Sequence, residues 1–295
     1  MTTELTSAAP VVLEEPVWRA RAARHRARVG LWTGPHRERR RRGESHPVMD
    51  FLFTYYSLRP ARLELWHPGP GALLRGGDEL LAVPGHVRDG DCVRLDVDAL
   101  PARIAGTAAF VRDLLLATAS RPARLSCFGL HEWAMVYGSD APRHGAVPLR
   151  LRAAGTDAVV ESLSVHCTHH DAFRFFTAAA RPLNAISPER ADQVANEQPG
   201  CLHATMDLYK WAYKLAPATP SELLAECFAL AVEVRELDMR ASPYDLADLG
   251  YSPVRIETPS GRAEYARAQA AFAERAAPLR DRLIALCRVL APAEA

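Results

Sequence analysis

Two long apolar stripes with helical spacing occupy the last third of the chain and constrain its fold more than any other feature. The first contains Leu223, Cys227, Leu230, Val234 and Leu237, and the second contains Phe272, Ala276, Leu279, Leu283, Leu286 and Leu290. Steps of three and four residues put each set on one face of a helix. Thr258 and Pro259 supply an N-cap and a first-turn proline for the second helix. Two such helices joined by a loop predict an antiparallel helical hairpin over about 219–290.

Helical patterns recur through most of the remaining chain, with one exception. Residues 69–100 carry clusters of glycine and proline around short alternating runs such as 93–97, which predict a small strand-and-turn insert. The chain has 295 residues and is 48% hydrophobic, which is enough to bury a sizeable core. We therefore predict a mainly α protein, a helical bundle-like single domain over 44–295 with a small β insert, behind a disordered basic N-terminal arm over 1–43.

Three sequence features indicate where in the cell the protein is expected. No run of eighteen apolar residues occurs, so no membrane span is expected. The first residues lack the basic-then-apolar arrangement of a signal peptide. The six cysteines are scattered without a C-x-x-C pair, which is typical of reduced thiols. We expect a cytoplasmic protein, and nothing in the sequence indicates its oligomeric state.

The basic arm contains an arginine-rich segment at 18–42. It holds ten arginines and one acidic residue, Glu38. Segments of this kind suit phosphate backbones, so DNA or another nucleic acid is a candidate partner. The alternative is a solvated helix face, because arginine is the usual cation throughout this chain and only Lys210 and Lys214 are lysines. A non-catalytic nucleic-acid-binding protein is therefore one functional alternative.

A five-residue pattern, His-x-x-Met-Asp, occurs twice, at 46–50 and at 203–207. On a helix the i, i+4 spacing puts the imidazole and the carboxylate on one face. Ser45 and Pro47 predict a helix over about 46–57, and the break at 199–200 predicts another that starts just after it. Packed face to face, the two helices would bring His46, Asp50, His203 and Asp207 into one pocket. The alternative is two ordinary surface ion pairs.

Further histidines lie at 131 and within 166–171, and carboxylates accompany them. Mixed histidine and carboxylate ligands suit zinc, iron or manganese. The sequence thus allows a metal-dependent enzyme, hydrolytic or oxidative, with His46, Asp50, His203, Asp207, His131 and His169 as candidate ligands. No phosphate-binding glycine loop, G-x-S-x-G, G-x-G-x-x-G or H-E-x-x-H occurs, which argues against the enzyme classes those motifs mark.

Several stretches carry a family resemblance, among them Asp50-Phe-Leu-Phe-Thr-Tyr-Tyr56 and the segments 128–137, 199–214 and 237–245. They resemble a bacterial family, common in actinobacteria, known under the label 3-methyladenine DNA glycosylase, over about residues 46–285. The resemblance implies an N-glycosylase that acts on a damaged or modified nucleobase.

In such an enzyme a carboxylate stabilises an oxocarbenium-like state and activates water. Asp207 is the first candidate for this role and Asp50 the second. Trp211 and Tyr209 are candidates for stacking the base, with Lys210 beside them. The Leu-Pro-Gly hairpin of helix-hairpin-helix glycosylases is not matched, since 81–85 leads to 90–91 without a helix, and no residue of that motif is carried over.

Overall fold

The computed structural model of the protein describes residues 10–139 and 147–292, which form eleven α-helices and four β-strands. In chain order these are β1 (Val11–Leu13), α1 (Glu15–Arg41), α2 (Phe51–Thr54), α3 (Pro60–Glu64), β2 (Ala72–Arg75), β3 (His86–Asp89), β4 (Cys92–Leu95), α4 (Ala102–Ala119), α5 (Leu130–Ala134), α6 (Arg152–Ser162), α7 (His170–Phe173), α8 (Gln193–Asn196), α9 (Leu202–Lys214), α10 (Ser221–Arg240) and α11 (Pro259–Leu290). The predicted mainly α class with a small β insert is confirmed.

The chain divides into two compact units. Unit 1 takes the chain up to Leu115, Leu208–Ala229 and the chain from Leu279 onward, and unit 2 takes Leu116–Asp207 and Leu230–Pro278. The prediction of a single domain beginning at residue 44 stays a prediction. Helices α4, α9, α10 and α11 each contribute residues to both units, so no linker of distinct composition marks a boundary that sequence patterns could reveal.

In unit 1 the strands form one sheet in the order β1-β2-β4-β3, with β1 parallel to β2 and the other pairs antiparallel. Trp18 of α1 stacks on Trp66 with ring centroids 6.1 Å apart, and its indole Nε1 donates to the carbonyl of Arg75 at 2.9 Å. Because Trp18 is part of the core, the predicted disordered arm is wrong over its described residues. Residues 1–9 of that arm lie outside the described residues.

The C-terminal hairpin is confirmed as two long helices, α10 and α11. In unit 1 Glu226 pairs with Arg282, and in unit 2 Glu233 pairs with Arg275 at 2.7 Å. From Glu226 to Glu233 the residue number on α10 rises, whereas the residue number of the paired arginine on α11 falls from 282 to 275. The two helices therefore run antiparallel. Pro278 lies inside α11 without ending it.

The membrane prediction can be compared with the helices directly. Of the helices that the structure describes, none is both long enough and apolar enough to cross a membrane.

Candidate functional site

The first His-x-x-Met-Asp pattern, in unit 1, forms a turn instead of the predicted helix over 46–57. Helix α2 covers only Phe51–Thr54. Asp50 Oδ2 accepts the backbone N–H of His46 at 2.8 Å, and His46 Nδ1 accepts the backbone N–H of Met49 at 3.1 Å. Both side chains thus bind their own local backbone, which is the usual way that short polar side chains compete with helix formation.

The Asp50 carboxylate ties this turn to helix α1. It accepts hydrogen bonds from His36 Nδ1 at 2.9 Å and from Arg39 Nε at 3.1 Å. Burial by itself raises the pKa of Asp50, but Arg39 and His36 bring that pKa below its ordinary value. These partners all belong to unit 1.

The expected convergence of the two patterns stays a prediction. His46 and Asp50 belong to unit 1, whereas His203 and Asp207 belong to unit 2. Among the described residues, neither His46 nor Asp50 is part of a group of three closely spaced ligand atoms. The contacts of Asp50 assign it to holding the fold of unit 1.

The candidate base-stacking residues Tyr209 and Trp211 also lie in unit 1, in its core. Tyr209 is 0% exposed and meets Phe228 edge to face with centroids 4.9 Å apart. Trp211 is 6% exposed and meets Phe110 in the same way at 5.7 Å. Lys210 Nζ lies 4.6 Å from the centroid of the Trp211 ring. Because both rings are buried against other aromatic rings, their packing corresponds to core residues.

The second His-x-x-Met-Asp pattern opens helix α9, which begins right after Pro199 and Gly200 as predicted. A Cβ on Gly200 would lie 2.6 Å from the carbonyl oxygen of Arg124, so only glycine permits this close approach. His203 and Asp207 follow on the first turns of α9, and both are buried in unit 2. They belong to two different groups of polar side chains.

The first group consists of His169, Glu197 and Asp207, whose ligand atoms all lie within 4.8 Å of one another. His169 Nε2 is 3.4 Å from Glu197 Oε1 and 3.5 Å from Asp207 Oδ2, longer than an N–H···O hydrogen bond. His169 is 2% exposed, and neither ring nitrogen has a hydrogen-bond partner among the described residues. Burial by itself lowers the pKa of His169, but the carboxylates of Asp207 and Glu197 raise it to about 9.

The second group consists of His131, His203 and Asp238. His131 Nε2 donates to Asp238 Oδ1 at 2.8 Å, and its other ring nitrogen, Nδ1, lies 3.4 Å from the Sγ of Cys127. Burial by itself lowers the pKa of His131, but Asp238 and Cys127 raise it well above its ordinary value. Both nitrogens of His131 therefore have partners within the protein, unlike those of His169.

A buried arginine completes the second group. Arg235 Nη1 lies 2.9 Å from Glu132 Oε1 and 3.0 Å from Asp238 Oδ2. Asp238 is thus held between an imidazole and a guanidinium. Burial raises the pKa of Asp238, but His131 and then Arg235 lower it far below its ordinary value. The carboxylate is charged and fixed in position.

His203, a member of the second group, also contacts the first group. Its ring meets the His131 ring edge to face at 4.5 Å between centroids and stacks on the His169 ring at 5.2 Å. Burial, together with the charge on His131, lowers the pKa of His203 well below its ordinary value. His203 is therefore a neutral imidazole between two rings whose pKa values are raised.

A cavity of about 240 Å³ opens beside the two groups in unit 2. The buried residues His131, His203 and Gln269 line it together with the half-buried Cys127 and the exposed Arg124 and His166. Thr168, which precedes His169, and Gln198, which follows Glu197, also line it. The cavity is therefore lined directly by two members of the second group, and by chain neighbours of two members of the first.

The sequence had indicated part of this cluster. Of the six candidate ligands, the structure brings together His131, His169, His203 and Asp207, and leaves out His46 and Asp50. It adds Glu197, Asp238, Arg235 and Cys127, which were not among the candidates. A usable signal for two of them existed, because Arg235 and Asp238 are charged residues one turn apart beside the apolar stripe of α10.

The arginines of the segment 18–42 are largely paired inside unit 1. Six of the ten form ion pairs with described acidic residues, and these are Arg19, Arg21, Arg37, Arg39, Arg41 and Arg42. Each pair neutralises a positive charge that could otherwise bind a phosphate group. A nucleic-acid partner through 18–42 stays a prediction, and it now depends mainly on the remaining four arginines.

Comparison with known proteins returned no similar protein: the chain matches no protein-family model, no curated protein and no solved structure.

Proposed function

We propose that this protein is a metal-dependent hydrolase in which His169, Glu197 and Asp207 bind one divalent transition-metal ion, zinc, iron or manganese. One observation carries the proposal. His169 is 2% exposed and faces two carboxylates, yet neither of its ring nitrogens has a hydrogen-bond partner among the described residues. A buried polar group without a partner is costly, and a bound ion would remove that cost.

The spacing of the three ligand atoms supports an ion in preference to a hydrogen bond. Bonds of about 2.1 Å to a tetrahedral metal ion separate the ligand atoms by roughly 3.4 Å. The distances of 3.4 and 3.5 Å from His169 Nε2 to the two carboxylate oxygens correspond to this separation. Gln193 Nε2 donates to Glu197 Oε1 at 2.5 Å and orients this carboxylate.

The number of protein ligands supports hydrolysis. Structural zinc sites usually have four protein ligands, whereas catalytic sites have three and leave a position for water. A metal ion lowers the pKa of bound water to about 7 and so supplies a nucleophile at neutral pH. The neighbouring cavity of about 240 Å³ is smaller than the pockets that hold drug-sized ligands, which favours a small polar substrate.

Metal analysis of the purified full-length protein tests the proposal. We expect about one metal ion per chain after dialysis, and a near-complete loss in His169→Ala. His86→Ala is the matched control, because His86 is also buried with both ring nitrogens unpartnered among the described residues. It belongs to none of the described groups of candidate ligands, so its variant should keep the metal content of the wild type.

Two results would contradict the proposal: a wild-type protein that binds no zinc, iron or manganese, or a His169→Ala variant that binds as much as the wild type. Hydrolysis is tested with small chromogenic esters and phosphoesters, and chelation should abolish turnover that the restored ion then recovers.

The glycosylase activity implied by the family resemblance stays a prediction. Its first candidate residue, Asp207, has an alternative role here as a ligand, and its second, Asp50, is bound to Arg39 and His36.

A further inference from the structure

Cys127 lies against His131 in the wall of the cavity in unit 2. Its Sγ is 3.4 Å from His131 Nδ1, and the opposite nitrogen of the same ring donates to Asp238 at 2.8 Å. Cys127 and His131 both line the cavity. A nucleophile, a base beside it and a third group that orients the base are the arrangement of nucleophilic catalysis.

We propose that Cys127 is the nucleophile of a second catalytic centre in this cavity, with His131 as its general base and acid and Asp238 as the positioning residue, acting on a small amide or ester. The proposal requires no metal ion. It uses none of the three residues assigned above as ligands, so either proposal can stand without the other.

The local chain explains why these two side chains meet. Phe128 and Gly129 have left-handed backbone conformations, with φ of 49° and 78°, and the N–H of Leu130 bonds the carbonyl of Cys127 at 2.9 Å. The resulting tight turn leads directly into the short helix α5, which carries His131. Cys127 and His131 are therefore set against each other over only four residues.

The other cysteines differ from Cys127 in their contacts. Cys167 Sγ faces the carbonyl of His169 at 3.7 Å, and burial raises the pKa of both Cys167 and Cys201. Burial also acts to raise the pKa of Cys127, but His131 lowers it below the ordinary value of a thiol. Because the thiolate is the reactive form, Cys127 is the cysteine best suited to attack.

The groups around this pair come from several elements. Asp238 and Arg235 face it from α10, His203 from α9 and Tyr265 from α11, and Cys167 and Cys201 lie on nearby loops. Asp238 is the carboxylate bound to His131, and its second oxygen is bound by Arg235. This arrangement favours a thiolate and an imidazolium side by side.

The reaction is a hydrolysis and needs no oxidant, reductant or cofactor. The thiolate forms an S–C bond with the carbonyl carbon while the electron pair of the C=O bond moves to oxygen. When that pair returns, the C–N or C–O bond breaks, and the leaving group takes a proton from His131. Water then attacks the thioester and gives a proton to His131, the S–C bond breaks, and a carboxylic acid leaves.

Gln269 indicates which substrates fit. Its side chain is 1% exposed, and its Nε2 donates to the carbonyl of Gly200. Gln269 lines the cavity, and its Oε1 has no hydrogen-bond partner among the described residues. A buried acceptor of this kind favours a ligand with an N–H or O–H donor. A small amide with a free N–H therefore suits the cavity best.

The first test labels cysteines of the full-length wild-type protein with iodoacetamide between pH 5 and 9 and locates the adducts by mass spectrometry. The thiolate displaces iodide, so the rate reports the thiolate fraction. An ordinary thiol with a pKa of about 8.5 is only about 0.3% ionised at pH 6. We expect Cys127 to react first, with a labelling profile that lies at lower pH than that of an ordinary thiol.

Variants then separate activation from mere exposure. His131→Asn should slow labelling of Cys127 at pH 6 about tenfold or more, and Asp238→Asn should move the pH profile to higher pH. Cys201→Ser is the control, and it should leave labelling of Cys127 unchanged. Chelation of metal ions should also leave the labelling of Cys127 unchanged. The labelling test and the metal analysis can therefore fail independently of each other.

Trapping of the acyl intermediate completes the test. Brief treatment with p-nitrophenyl acetate should leave an acetyl group on Cys127 in the wild type, and Cys127→Ser should lack this adduct. The proposal is overturned if the wild-type labelling rate of Cys127 falls tenfold per pH unit below pH 8, as for an ordinary thiol. It is also overturned if acetylation occurs elsewhere and never on Cys127. Both outcomes are measured on the wild-type protein, so neither depends on a variant that folds.

Discussion

Arg235 and Glu132 form a buried ion pair in unit 2, with Arg235 Nη1 2.9 Å from Glu132 Oε1. The same nitrogen lies 3.0 Å from Asp238 Oδ2. A single guanidinium therefore balances two buried carboxylates beside the candidate site. The stability of unit 2 and the geometry around His131 are linked through this side chain.

Loss of this guanidinium should be strongly destabilising. We expect Arg235→Met to lower the free energy of unfolding by about 3–5 kcal/mol, because the buried Glu132 loses its paired guanidinium and Asp238 loses one of its two paired groups. Urea denaturation followed by circular dichroism measures the change. Arg275→Met is the matched control, since Arg275 forms a half-exposed pair with Glu233 that should contribute less than about 1 kcal/mol. Equal effects of the two substitutions would contradict this prediction.

The Asp50 carboxylate should contribute stability in a pH-dependent way. Its folded-state pKa lies below the ordinary value, so its contribution is fully present above an unfolded pKa of about 3.9 and is lost as the pH falls through the folded pKa. Asp50→Asn should therefore be less stable than the wild type at pH 7, and the difference should shrink toward pH 3. Thermal melts at several pH values test this.

A control accompanies the Asp50 experiment. Glu38→Gln removes a carboxylate whose pairs with Arg41 and Arg42 lie on the surface of α1. It should change stability by less than about 1 kcal/mol at pH 7. If the stability difference between Asp50→Asn and the wild type grows toward acid pH, the role assigned to Asp50 is wrong.

The two aspartates of the repeated pattern should respond differently to metal removal. Under the metal proposal, chelation should lower the melting temperature of the wild type and of Asp50→Asn, and should leave that of Asp207→Asn unchanged. A ligand present at a hundred times its Kd stabilises a fold by about 2.7 kcal/mol, which a melting curve resolves readily. Chelation that shifts Asp207→Asn as much as the wild type would remove Asp207 from the ligand set.

The helical hairpin should behave as core. Leu283 and Leu230 are 0% and 3% exposed, and each substitution to alanine should cost about 2–5 kcal/mol. Leu31→Ala is the control, because Leu31 on α1 is 72% exposed and should change stability by less than about 0.5 kcal/mol. Chemical denaturation compares the three variants. A small effect at Leu283 would mean that its face of α11 does not pack as described.

Local pattern alone was enough to predict several of the elements. The stripes on α10 and α11, the start of α9 after Gly200 and the small β insert all follow from apolar spacing and from glycine and proline. It failed at 46–50, where His46 and Asp50 bind their own backbone instead of forming a helical face. The same spacing therefore gives a turn at 46–50 and a helix at 203–207. The Asp50 carboxylate is bound by residues outside the pattern, such as Arg39, and the spacing does not reveal them.

The composition of the candidate site was decided by tertiary structure. The i, i+4 spacing of His203 and Asp207 follows from α9 alone, and their residue types pointed to metal chemistry. Which residues join them did not follow from spacing, because His169, Glu197 and Asp238 come from segments that meet only when unit 2 folds. Burial then gives each residue its chemistry: burial by itself lowers the pKa of an imidazole, and the two carboxylates beside His169 raise its pKa to about 9. Residue types and their spacing show which side chains are available, and folding decides which of them share one site.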